Sequence, residues 1–190
     1  CKTGEQQSPI DLSSRESRWP SPALRFDYRP APLDLLNDGH TVVFRMPEGG
    51  SFTVDKRRYA LSEMRIHTPS EHTIDGRALE MEFQLVHRDA EGQVAILAIL
   101  VERGRQNAVL APVWPRLPET AGSAVRDPAV ALNLGGLLPR NHSHYAYTGS
   151  FSTPPCREDV EWLVMSTPIQ CSRAQIVAFR AIYRENARPV

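Results

Sequence analysis

Within residues 64–87, MRIHTPSEHTIDGRALEMEFQLVH, five side chains able to bind metal or carry protons crowd together: His67, Glu71, His72, Glu82 and His87. Imidazole and carboxylate are the usual donors to zinc and the usual groups of acid–base catalysis. On a strand, Arg65 and His67 point to one face, where two histidines would make a ready pair of ligands, yet the first position is an arginine. On the next strand Glu82, Gln84 and Val86 share a face and His87 points the other way. Arg65, His67 and Gln84 are therefore expected to converge on one side of a strand pair. A three-histidine zinc site cannot be assembled from this spacing, because its partner positions hold Arg65 and Gln84.

The elements that must position these residues read as a mostly β protein. Sixteen prolines and eleven glycines cut the chain into short segments, many rich in Val, Ile, Phe and Tyr. Strands are expected over 41–46, 59–67, 79–87, 94–101, 143–148 and 160–167, as antiparallel neighbours joined by turns. Asp75-Gly76 is a strong turn dipeptide between the two chemistry-bearing strands. One helix is expected over 172–183, where Ser172 and Gln175 form a capping box ahead of Ile176, Phe179 and Ile182. A second, at 107–114, starts at Asn107 but meets Pro112 and Pro115 and should be short. The stretch 110–139 reads as surface loop.

A chain of 190 residues, 41% hydrophobic, suits one domain with a substantial core. Twenty-two basic residues balance twenty-two acidic ones, so no net field draws the protein to nucleic acid. The longest apolar run, VAILAILV at 94–101, has the length of a buried strand and not of a membrane span. The abrupt start at Cys1 suggests a processed or trimmed beginning. Cys1, Cys156 and Cys171 allow three single pairings or a fully reduced state, and spacing does not choose among them.

Several separated motifs resemble the α-class carbonic anhydrases, in the right order and over nearly the whole length. They are GEQQSPIDL (4–12), NDGH (37–40), HTPSEHTIDG (67–76), EFQLVH (82–87) and YTGSFSTPPC (147–156), and their wording is closer to the bacterial branch. The resemblance implies a single domain over 1–190. Its fold would be mainly β, a large twisted and mostly antiparallel central sheet with short peripheral helices. The aromatic segment that precedes Cys1 in the family is absent from the given chain.

The same resemblance assigns the site by position. The three zinc histidines of the family fall on Arg65, His67 and Gln84, so two of three are replaced and the metal site reads as vestigial. A guanidinium has no lone pair and repels a dication, and an amide is a poor zinc donor. Without zinc, nothing lowers the pKa of water from about 15.7 toward about 7. No cofactor is therefore expected. Other family positions persist: Ser152 replaces a threonine that orients the zinc-bound group, Glu71 matches its carboxylate partner, and His40 matches a proton-shuttle position. Thr153, Val86, Phe151 and Trp162 would line or support the pocket, with His72 and Glu82 bracing the ligands behind it. Arg65 is read either as salt-bridged to an acid or as substituting its charge for the metal. A Cys1–Cys156 disulfide is implied, and with it a periplasmic or secreted location.

These expectations favour a carbonic anhydrase-related protein that acts by binding a small anion in the cleft or a protein on its outer surface. The alternatives are a weak or atypical carbonic anhydrase with a non-standard metal site or metal-free esterase action, and an architectural subunit of an envelope assembly.

Overall fold

The computed structural model describes residues 4–15 and 23–190. Among the described residues thirteen strands run in chain order: β1 Asp11–Leu12, β2 Arg25–Tyr28, β3 Ala31–Asn37, β4 Val42–Arg45, β5 Gly50–Val54, β6 Arg57–His67, β7 Thr73–Ile74, β8 Arg77–Ala78, β9 Met81–Arg88, β10 Val94–Arg103, β11 Ala124–Leu132, β12 His144–Gly149 and β13 Val160–Cys171. Ten of them form one sheet with the main order β11-β3-β4-β6-β9-β10-β13-β12, and β2 and β5 pair beside β6. β1, β7 and β8 form a small separate sheet. The fold is mainly β, as expected, with one α-helix among the described residues, α1 at Arg173–Ile182.

Apolar patterning explains the order. β10 is buried along Val94–Val101 and lies between β9 and β13 at the sheet centre. Its residues alternate between two cores: Ala95, Leu97, Ile99 and Val101 join the larger one, and Val94, Ile96, Ala98 and Leu100 the smaller. A strand covered on both faces reads as an unbroken apolar run. The β10–β13 pair is parallel, where antiparallel neighbours were expected throughout. The segment between them holds β11 and β12 and crosses the sheet, so the two strands meet without a hairpin.

The edge strand β11 corrects the expected 110–139 loop. It pairs antiparallel with β3, with a register shift between Asp127 and Ala131 around Pro128, and a proline-bearing, half-exposed strand tolerates that position only at a sheet edge. Residues 107–114 form turns that end in a short 3-10 segment at Trp114–Arg116. Helix α1 starts as expected: Ser172 Oγ accepts from the Gln175 backbone N–H, and Gln175 Oε1 accepts from the Ser172 N–H. Ile176 and Phe179 then bury in the larger core.

Candidate functional site

A β-bulge aims the site. Between Leu61 and Glu63 the β6–β9 register shifts. Tyr59, Leu61, Met64 and Ile66 stay in the larger core, leaving Glu63, Arg65 and His67 on the opposite face. β-bulges re-aim side chains in this way. Across the ladder Arg65 stands opposite Gln84, His67 opposite Glu82, and Gln84 opposite Ala98 of β10. The expected convergence of Arg65, His67 and Gln84 on one sheet face is therefore observed.

The hydrogen bonds define what each residue does there. Gln84 is buried, and its amide nitrogen donates to Glu71 Oε2 at 2.7 Å and Glu82 Oε1 at 3.0 Å. Glu71 Oε1 also accepts the Arg188 backbone N–H at 2.9 Å and lies 3.2 Å from His67 Nδ1. His67 Nδ1 is also 3.2 Å from the Asn186 carbonyl oxygen. The other ring nitrogen, Nε2, is buried with no hydrogen-bond partner. Behind this layer His72 Nδ1 meets Glu82 Oε1 at 2.9 Å, the His72 backbone N–H donates to Glu82 Oε2, and His72 Nε2 meets the Tyr147 hydroxyl at 2.7 Å. Burial alone would raise the Glu82 carboxyl. The charge and hydrogen bonds of His72, with the Gln84 amide, hold it down at about 2.

Arg65 is bound to acids outside the His67–Glu71–Gln84 cluster. Its Nε donates to Glu63 Oε1 at 2.7 Å, and its Nη1 lies 4.0 Å from Asp38 Oδ2, all three side chains being about a quarter exposed. Of the two readings of Arg65, the salt-bridged one describes the structure, with Glu63 as the acid. The expected Ser152–Glu71 pairing also needs correction. Among the described residues no hydrogen bond joins Ser152 to Glu71, whose oxygens are held by Gln84 and the Arg188 backbone.

The remaining expectations divide. Val86 is buried in the smaller core, with Phe151 packed against it. Trp162 is fully buried, donates Nε1–H to the Ser150 carbonyl and stacks on Tyr147, so it supports the pocket from behind. Thr153 is half-buried and His40 exposed, and neither side chain joins the bonded cluster. His87 lies on the other face, where it meets the Tyr28 hydroxyl at 2.8 Å and the Leu85 carbonyl, and burial lowers it to about 3. Cys171 is a free buried thiol that burial pushes up to about 12. The expected Cys1–Cys156 bridge lies outside the described residues at its Cys1 end; Cys156 is buried, and Arg188 Nη1 donates to its sulfur at 3.6 Å.

Asn186 and Arg188 are the site residues that sequence reading missed. Asn186 Oδ1 accepts the Thr68 N–H, and its Nδ2 donates to the Ile66 and His40 carbonyls. Arg188 Nη1 donates to the Ser8 carbonyl, and its Nη2 to Gln7 Oε1. A signal existed in the NARP stretch, since polar residues capable of several hydrogen bonds each follow closely on the helix.

The donor set does not fit a catalytic zinc. Such a site needs three neutral or anionic ligands around an open position. Here one position is a guanidinium turned to Glu63, and another is an amide whose nitrogen is bonded to two carboxylates. Among the described residues, no group of three His, Cys, Asp or Glu side chains could hold a metal ion.

A site on the face of a ten-stranded twisted sheet, with a buried carboxylate and imidazole layer behind it, defines an α-carbonic anhydrase fold. The chain matches the eukaryotic-type carbonic anhydrase family over residues 1–189. It belongs to that family. It is 40% identical to a carbonic anhydrase of Neisseria gonorrhoeae over 192 residues, covering all of this chain and 75% of the relative, and 35% identical to one of Nostoc, covering 74%. Among solved structures, the α-carbonic anhydrase of Thermovibrio ammonificans in complex with sulfanilamide superposes with a TM-score of 0.91 at 34% identity, covering all of this chain and 84% of that one. Dioscorin complexed with ascorbate superposes at 0.88 with 28% identity, covering 98% and 82%.

Proposed function

We propose that this member of the carbonic anhydrase family works without catalytic zinc, as a binding module built on the former active-site cleft. The observation that carries the reading is the pair of substitutions facing His67. Arg65 brings a fixed positive charge and no lone pair, and Gln84 spends its amide on Glu71 and Glu82. Hydration of carbon dioxide needs a nucleophile that unassisted water supplies far too rarely at neutral pH. That dioscorin, a structural relative, is complexed with ascorbate supports binding of a small molecule on this fold. The reading includes a Cys1–Cys156 disulfide and an oxidising, periplasmic or secreted compartment.

A second reading, an atypical carbonic anhydrase, is favoured by the relatives at 30–40% identity that carry that name. Elemental analysis after gentle purification, with stopped-flow measurement of carbon dioxide hydration, separates the two. The expected result is sub-stoichiometric zinc and a rate at the uncatalysed background; stoichiometric zinc with chelator-sensitive hydration would establish the enzyme instead.

A further inference from the structure

The two edges of the main sheet differ. β11 carries Arg126, Asp127 and Pro128 with a break in its pairing, features that keep a further strand from adding there. β12, HYAYTG, holds no proline and no Asp, Glu, Lys or Arg, and its register with β13 is unbroken. The Ser166 N–H donates to the Ser143 carbonyl at 2.9 Å, so these opposed residues form a hydrogen-bonded pair. Such pairs alternate along an antiparallel ladder. The N–H and C=O groups of Tyr145 and Tyr147 therefore turn toward β13, and those of Ala146 and Thr148 turn away from it. Both residues are exposed, and among the described residues nothing bonds to their outward groups.

A cleft of about 530 Å³ opens beside this edge, between β12–β13 and the tip of the β5–β6 hairpin. Ala146, Tyr147 and Thr148 all line it, so the space wraps the edge, since successive strand residues point to opposite faces. Leu163 and Glu161 stand opposite Ala146 and Thr148 and line it too. Leu163 and Val54 make an apolar floor where the larger core reaches the surface. The charged lining is Asp55, Glu161 and Arg57. Arg57 is already offset, with its Nε 3.4 Å from Oδ2 of Asp89, whose side chain is buried. Glu161 Oε2 accepts the Tyr59 hydroxyl at 3.0 Å, while Oε1 lies 3.9 Å from Arg57 Nη1. Negative charge is thus in excess over an apolar floor.

We infer that the outer edge of β12 is a docking site for an extended basic peptide, which adds as a strand and places a lysine or arginine in the cleft. Pairing with Ala146 and Thr148 supplies affinity, and alternation sends every second peptide side chain toward Glu161 and Leu163. The aliphatic stem of such a side chain covers Val54 and Leu163, and its charged head meets Asp55 and Glu161. A second copy pairing through β12 would instead bring two acidic clefts together. The site lies on the face opposite Arg65, His67 and Gln84, and it stands whether or not zinc binds there.

The test uses the full chain with the peptide acetyl-Thr-Val-Thr-Lys-Thr-Val-Thr-amide, a version with glutamate in place of lysine, and a version methylated on its central backbone nitrogens. Calorimetry follows affinity, and amide NMR follows Ala146 and Thr148. The lysine peptide is expected to bind saturably and shift both amides, and the other two peptides to leave them in place. Asp55→Asn and Glu161→Gln should each weaken binding by about threefold, the scale of a partly exposed ion pair. Ala146→Pro removes an outward N–H at a position where an edge strand tolerates proline, so it should abolish binding with an unchanged thermal melt. Equal affinity for the lysine and glutamate peptides, binding that survives methylation, or no saturable binding would overturn the inference. So would a dimer in sedimentation velocity that the lysine peptide does not dissociate.

Discussion

By the family resemblance position 84 takes a histidine's place, and a glutamine there changes which atom faces the cluster. An imidazole offers one lone pair and one N–H; the amide of Gln84 offers two N–H groups, and one nitrogen reaches both Glu71 and Glu82. The substitution therefore ties together two buried carboxylates that would otherwise repel. Arg65 is less deeply committed, since its partners Glu63 and Asp38 are partly exposed and such pairs contribute about 0–1 kcal/mol. Restoring both histidines, Arg65→His with Gln84→His, should re-create a three-nitrogen site with His67. Zinc binding by the double variant is expected at one equivalent by elemental analysis, with each single variant binding substantially less. No metal uptake by the double variant would mean that the surrounding hydrogen bonds have also been rebuilt.

At the scale of the elements, what mattered most was the bulge in β6 and the local start of α1. The capping box is a short-range device, and it was legible in the sequence because Ser172 and Gln175 need only each other and the first turn. Ser172→Ala is expected to lower stability by about 1 kcal/mol in urea unfolding; a change within error would mean that tertiary packing alone fixes the helix start. The central strands were equally legible, since their apolar runs reflect burial. The convergence of Arg65, His67 and Gln84 followed from a period of two. The parallel β10–β13 pairing was not legible, because it joins segments far apart in sequence and no local pattern encodes it. β11 was hidden by Pro128 and by mixed polarity at a sheet edge. The orientation of Arg65 depended on Glu63, which shares its face by the period of two, and the bulge turns that face away from the larger core.

For the whole molecule, two buried titratable groups on opposite faces of the sheet make stability depend on acidity. His87 sits at about 3, against 6.5 for the free side chain, so between those values the unfolded chain binds more protons. Stability from this group is complete above about pH 6.5 and is lost as pH falls toward 3. Glu82, held at about 2 against 4.5, adds a second loss that begins below about pH 4.5. The urea midpoint is therefore expected to fall in two stages on acidification. His87→Gln should flatten the first stage between pH 6.5 and 4.5 and leave the second in place. A midpoint that is level from pH 7 to 4.5 in the unsubstituted protein would contradict this assignment.

The contacts of Asn186 and Arg188 also bear on how the protein is made. Arg188 reaches back to Gln7 and Ser8, and Asn186 holds the end of β6. Until residues 186–188 have been made, Glu71 and His67 lack the backbone groups that hold them. Domains generally fold as units. The cluster is thus closed by residues more than a hundred positions along the chain from those they secure.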